Sequence, residues 1–207
     1  MSDSTTLTSE QVANQANELI LRGQVEDALN LFKQHLGHFP FDSRVHDLVE
    51  SLLLAPDQGR GLVDFFRDLQ KSYPDDWRQV VNLARAYSKT GKDSLAVVQL
   101  QKLLRAETQH CEVWMELATC YRRLDKLELA LRALNSLLEV QADHGPAHMA
   151  RIRYLVESGD LEEAAAATIF SLEVKGLAPA LRDWLDKVNL DLEQGKKPDD
   201  ELLYRAS

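Results

Sequence analysis

Long apolar stretches are missing from this chain. No run approaches the roughly 18 consecutive apolar residues of a membrane span, so membrane insertion is not expected. The amino-terminal segment MSDSTTLTSEQ has neither a basic start nor an apolar stretch, so no secretory signal is visible. Together these predict a soluble, cytoplasmic protein. Cysteine is nearly absent. Cys111 and Cys120 lie nine residues apart; in one helix that is about 13 Å, too far for a bridge. Two unpaired thiols suit a reducing compartment. Basic residues are also short, 24 against 33 acidic for a net charge of −9, which argues against general nucleic-acid binding. There is no glycine-rich phosphate loop, no Gly-x-Ser-x-Gly elbow and no His-Glu-x-x-His. No cofactor, metal or catalytic residue is therefore expected, and the chain reads as a non-enzyme.

Glycine and proline are sparse, and Ala, Leu, Glu, Gln, Lys and Arg abound, the make-up of a helical protein. Ruled at a period of 34 residues, the chain aligns on itself five times without a gap, from Ser9, Ser43, Trp77, Cys111 and Gly145. Ala28, Ala96, Ala130 and Ala164 then share one position. Gly23, Gly91 and Gly159 share another, and Phe32, Phe66, Leu100 and Leu134 a third. A fixed period of this length marks stacked helix–turn–helix units. In the unit from Cys111 to His144, Trp114, Leu117, Ala118 and Tyr121 make one apolar stripe at helical spacing. Leu127, Ala130, Leu131, Leu134, Leu137 and Leu138 make a second. Small residues at Ala118 and Ala130 let the paired helices cross closely. The shared glycine suits the left-handed conformation that ends the first helix, and Pro40 and Pro74 close the second.

These residues resemble the tetratricopeptide repeat family. Its pattern is met by Trp114, Leu117, Ala118, Tyr121, Ala130 and Leu134, and again by Leu83, Ala84, Tyr87 and Ala96. The resemblance implies an all-α fold: a right-handed α-solenoid of five stacked helix–turn–helix units plus a C-terminal capping helix. The expected organisation is a disordered N-terminus over 1–8, then repeats over 9–42, 43–76, 77–110, 111–144 and 145–178. A capping helix over 179–194 and a tail over 195–207 follow. The second and fifth repeats are degenerate. Glu50, Leu62 and Pro56 depart from the pattern in one, and Arg151, Ile152 and Thr168 in the other.

In this family the first helices of successive repeats line a concave groove that holds a peptide. Carried over position by position, the resemblance places Arg78, Val81, Arg85 and Lys89 there from the third repeat, with Asn82 beside them. Met115, Thr119, Arg122 and Arg123 come from the fourth repeat, and Met149 and Arg153 from the fifth. The groove positions of these three repeats hold six basic residues against two acidic ones, in a chain that is acidic overall. Val81, Met115 and Met149 would form an apolar floor. Arginine forks suit carboxylates, so the expected partner is a peptide or protein segment with acidic residues or a free carboxyl end. The competing reading is that these are ordinary solvated charges.

The Lys/Asn clamp of members that hold chaperone tails is not reproduced in any register. Starting at the first repeat, for example, its places hold Ala13, Asn17, Leu48, Arg78 and Asn82. The pairs His35/His38 and His144/His148 have helical spacing, but packing or surface roles suit them better than metal ligation. The function expected is a protein–protein interaction module or adaptor. A self-assembling scaffold, one copy docking into the groove of another, is the alternative.

Overall fold

The computed structural model describes residues 7–54, 59–106 and 108–204. Most of the 1–8 segment, Pro56 and the last three residues of the tail lie outside the described residues. Among the described residues all regular structure is α-helical, in twelve helices. The chain divides into two compact units, Met1–Gln99 and Leu100–Ser207.

The first unit holds α1 (Ser9–Leu21), α2 (Val25–His38), α3 (Ser43–Leu53), α4 (Gly59–Ser72) and α5 (Trp77–Lys89). The division falls within α6 (Asp93–Leu104). The second unit continues with α7 (Cys111–Arg123), α8 (Leu127–Val140), α9 (Gly145–Ser158), α10 (Leu161–Glu173), α11 (Pro179–Glu193) and α12 (Asp200–Tyr204). Helices α1, α3, α5, α7 and α9 begin on the residues that open the sequence periods, and α11 begins in the same phase at Pro179.

Local chemistry fixes these starts. Thr8 and Gln11 form a reciprocal capping box at α1. The Asp42, Asp76 and Asp160 carboxylates accept from the first-turn amides of α3, α5 and α10. At α9 the His144 ring takes this role, with Ala147 N–H donating to Nδ1 at 3.2 Å. Pairing within the array rests on the shared small position: Ala28, Ala96, Ala130 and Ala164 are each fully buried.

The turn between paired helices needs one left-handed residue. Glycine fills it at Gly23, Gly91 and Gly159, with φ from +71° to +84°, but between α7 and α8 the equivalent place holds Asp125, at φ +56°. A side chain there costs about 1–2 kcal/mol, which Asp tolerates better than most residues. Asp125→Gly is therefore expected to stabilise the chain by up to about 1 kcal/mol after the entropic cost of glycine. Chemical denaturation with an unchanged slope and a raised midpoint would show it.

A second recurring device sits at the fourth residue of the first helices. His46 Nε2 meets the carbonyl of Pro40 at 2.7 Å, Trp114 Nε1 that of Thr108 at 2.9 Å, and His148 Nε2 that of Ala142 at 2.8 Å. In each case a ring N–H reaches back six residues and ties the preceding connection to the helix it feeds. Two imidazoles and one indole serve because each is a planar ring with a donor at its rim.

Candidate functional site

The two units present their first helices separately. In the first unit α5 carries Arg78, Val81, Asn82, Arg85 and Lys89. Val81 is fully buried, so it is core and not the floor of an open groove. Asn82 is likewise fully buried. Its Nδ2 donates to the Pro40 carbonyl at 2.8 Å and to Gln79 Oε1 at 3.2 Å, while Gln79 Nε2 donates to the Leu36 carbonyl at 2.9 Å. These two amides fasten α5 to the end of α2 and the connection after it. Neither Val81 nor Asn82 can touch a ligand, which corrects the expectation from sequence.

The cations on α5 have local partners. Arg78 forks onto Asp76, with Nε–Oδ1 at 2.8 Å and Nη2–Oδ2 at 3.0 Å. Arg85 lies over the Phe41 ring at 5.2 Å. Lys89 reaches Glu50 at 3.0 Å, so the residue that departs from the repeat pattern in α3 serves as a counter-charge. Arg78 is more firmly protonated than usual, its hydrogen bonds to Asp76 outweighing partial burial.

In the second unit α7 and α9 carry the remaining expected residues. Their inward faces are core, with Leu117, Ala118, Cys120 and Tyr121 buried on one and Ile152, Leu155 and Val156 on the other. Met115, Thr119, Arg122, Met149 and Arg153 are half-buried, and Arg123 is exposed. Arg122 and Glu157 form a two-pronged pair at 2.8 and 2.7 Å, joining α7 to α9, and the Arg122 guanidinium also lies 5.7 Å from the Tyr154 ring. The hydrogen bond to Glu157 holds Arg122 charged more firmly than usual. Thr119 spends its hydroxyl on the Met115 carbonyl. Met149 packs against the core of this unit.

Arg153 has the most unusual surroundings. Its Nε donates to the Leu203 carbonyl of α12, and its guanidinium lies 5.7 Å from the Trp184 ring and 5.3 Å from the Tyr204 ring. Nη2 is buried and, among the described residues, has no hydrogen-bond partner. Burial pushes the Arg153 guanidinium below its usual value. The sequence places Arg153 on this face and leaves room for a short helical turn in the 195–207 tail, but five residues are too few to show a period that would bring α12 against Arg153.

The histidines have structural work. His148 is fully buried between Ser171 and the Ala142 carbonyl, and His144 caps α9. His35 and Ser9 both meet the same oxygen of Asp42. That arrangement contains Ser, His and Asp but cannot activate the hydroxyl, because the carboxylate stands between serine and imidazole instead of behind the imidazole. Burial tends to raise the Asp42 carboxyl, but hydrogen bonds from Ser9, His35 and the Val45 amide outweigh it and hold the group below the usual carboxylate value. Among the described residues no three metal-ligating side chains converge, and no helix is long and apolar enough to cross a membrane. Cys111 and Cys120 both lie on α7, and neither is in a disulfide.

No protein-family profile matches the chain, and no curated protein does. Solved structures do. One is TTC0263, a thermophilic tetratricopeptide protein in Thermus thermophilus, with a TM-score of 0.55 at 18% identity over 88% of this chain and 100% of that one. MamA matches with a TM-score of 0.51 at 18% identity, over 66% of this chain and 90% of its own. The Yersinia enterocolitica type III secretion chaperone SycD, solved with a peptide of the translocator YopD, gives 0.50 at 16% identity, over 57% and 93%. The fold is thus a helical solenoid of the tetratricopeptide type.

Proposed function

We infer that this chain is a protein-interaction module without catalytic activity, built of five helix-pair repeats closed by α11, and that it holds a peptide segment on the α7–α9 face of its second unit. The observation that supports this most is the contrast within those two helices. One side of each is closed core, while Arg122, Arg123, Arg153, Met115 and Met149 remain partly or fully exposed, Met149 with its edge against that core. Arginine and methionine together suit a ligand with carboxylates and irregular apolar side chains. The Arg122–Glu157 pair gives acid recognition by exchange: an incoming carboxylate takes the guanidinium fork that Glu157 occupies in its absence. The SycD–YopD complex, a peptide held by a related fold, is consistent with this use of the surface.

The test is affinity capture on the immobilised full chain, with captured proteins identified by mass spectrometry. Replacing both arginines (Arg122→Glu with Arg123→Glu) is expected to lower recovery of the bound partner by about tenfold or more, about 1.4 kcal/mol, and to flatten its salt dependence. Recovery equal to wild type, with the variant still folded by circular dichroism, would discard the reading.

A further inference from the structure

We propose that α12 is an internal occupant of the peptide face, and that the partner is a short segment of the same chemistry, acidic residues followed by two leucines and an aromatic ring, which enters when α12 leaves. The inference rests on the reading of the α7–α9 face given above and narrows its ligand.

After α11 the chain turns at Gly195, with φ +66°, and Asp199 caps the next turn through the Leu202 amide at 2.7 Å. The α12 segment packs against α11 and reaches the α7–α9 face through Arg153 of α9. Leu203 is buried in the core cluster that also holds Ile152, Val156, Trp184 and Leu185. Two main-chain carbonyls are read by fixed side chains: Leu202 by Trp184 Nε1 at 2.8 Å, and Leu203 by Arg153 Nε. The Tyr204 ring completes a stack on Arg153 and lies within electrostatic reach of Arg122 and Tyr154.

Two features mark α12 as a replaceable occupant. It has only five residues, of which Leu203 is buried and Leu202 packs partly buried beside it, while Asp200, Glu201 and Tyr204 are exposed. It also leaves Arg153 Nη2 buried without an acceptor among the described residues, an expensive omission for a guanidinium. A partner that places a carboxylate opposite Nη2 would satisfy what α12 does not.

The experiment measures binding of a labelled peptide of residues 196–204, Lys-Lys-Pro-Asp-Asp-Glu-Leu-Leu-Tyr, to the full chain by fluorescence anisotropy. An internal occupant that is seated nine-tenths of the time weakens an external one by about tenfold. Leu203→Ser is therefore expected to bind the peptide about tenfold more tightly than wild type, and Arg153→Gln added to it should cancel the gain. Tyr204→Ala, at a side chain 41% exposed, removes the stack on Arg153; it is expected to gain about threefold and serves if Leu203→Ser fails to fold.

Equal affinity for all the chains, or no binding by any, would overturn the proposal. So would a concentration-dependent dimer of the wild type that Leu203→Ser abolishes, because the occupant would then be a second copy. If arginine reversal still releases the captured partner while peptide affinities stay equal, only the present inference fails. If the peptide result holds while arginine reversal changes nothing, the α12 site stands and the acidic reading falls.

Discussion

Phe32→Ala is expected to cost about 3–5 kcal/mol, and Leu134→Ala about 2–5 kcal/mol, the usual losses for emptying a closed core site of that size. The two residues hold one repeat position in different units, each at the centre of a second helix and each with at most 1% of its surface exposed. Phe32 lies on α2, which packs against α1, α3 and α4; Leu134 lies on α8, packed between α7 and α9. Each side chain thus bridges its own pair and the next. Truncation removes contacts on both sides at once, and helices fixed by Ala28 and Ala130 at their crossings have little room to collapse into the hole. Urea denaturation of each variant measures the loss. A cost below about 1 kcal/mol at either site would mean that the position is not a shared core centre, and the repeat reading would fail there.

Acidification is the second large effect. His148 is buried and His46 half-buried, and in both burial is the main influence and lowers the ring below the usual imidazole value of 6.5. The carbonyls they contact oppose the shift, and Arg85 near His46 and Arg151 near His148 reinforce it. The sign follows from proton counting: between the folded and unfolded values the unfolded chain binds more protons, so stability is complete above about pH 6.5 and is lost as the pH falls below it. Each unit of depression is worth about 1.4 kcal/mol once the pH is below the folded value. His148→Gln keeps a donor for the Ala142 carbonyl and removes the titration. Its stability between pH 7.5 and 5 is expected to fall less steeply than that of wild type. Parallel profiles would show that His148 does not contribute.

The repeat architecture was legible because it depends on quantities a sequence carries directly. A 34-residue phase located the starts of α1, α3, α5, α7 and α9, and alanine at the crossing position required only that two backbones approach. The peptide face was read less well. Val81 and Asn82 have the right helical phase for it, yet Asn82 is drawn inward by the Pro40 carbonyl, 42 residues away, a pairing that no local pattern announces. The expected basic stripe was real as a list of residues, but Asp76, Glu50 and Glu157 neutralise much of it, and two of these partners come from other helices. The ring N–H bonds at His46, Trp114 and His148 were detectable in principle, since all three stand at one repeat position. Their residue types differ, and alignment by type hides an equivalence of donors.

Trp184 gives the molecule an optical reporter. Its indole is 3% exposed, its N–H is committed to the Leu202 carbonyl, and a guanidinium lies against its face. Departure of α12 breaks the bond to the Leu202 carbonyl and wets the ring, so intrinsic fluorescence of the unlabelled chain should redden as the segment lifts. Trp77 and Trp114, already partly exposed, supply a steady background.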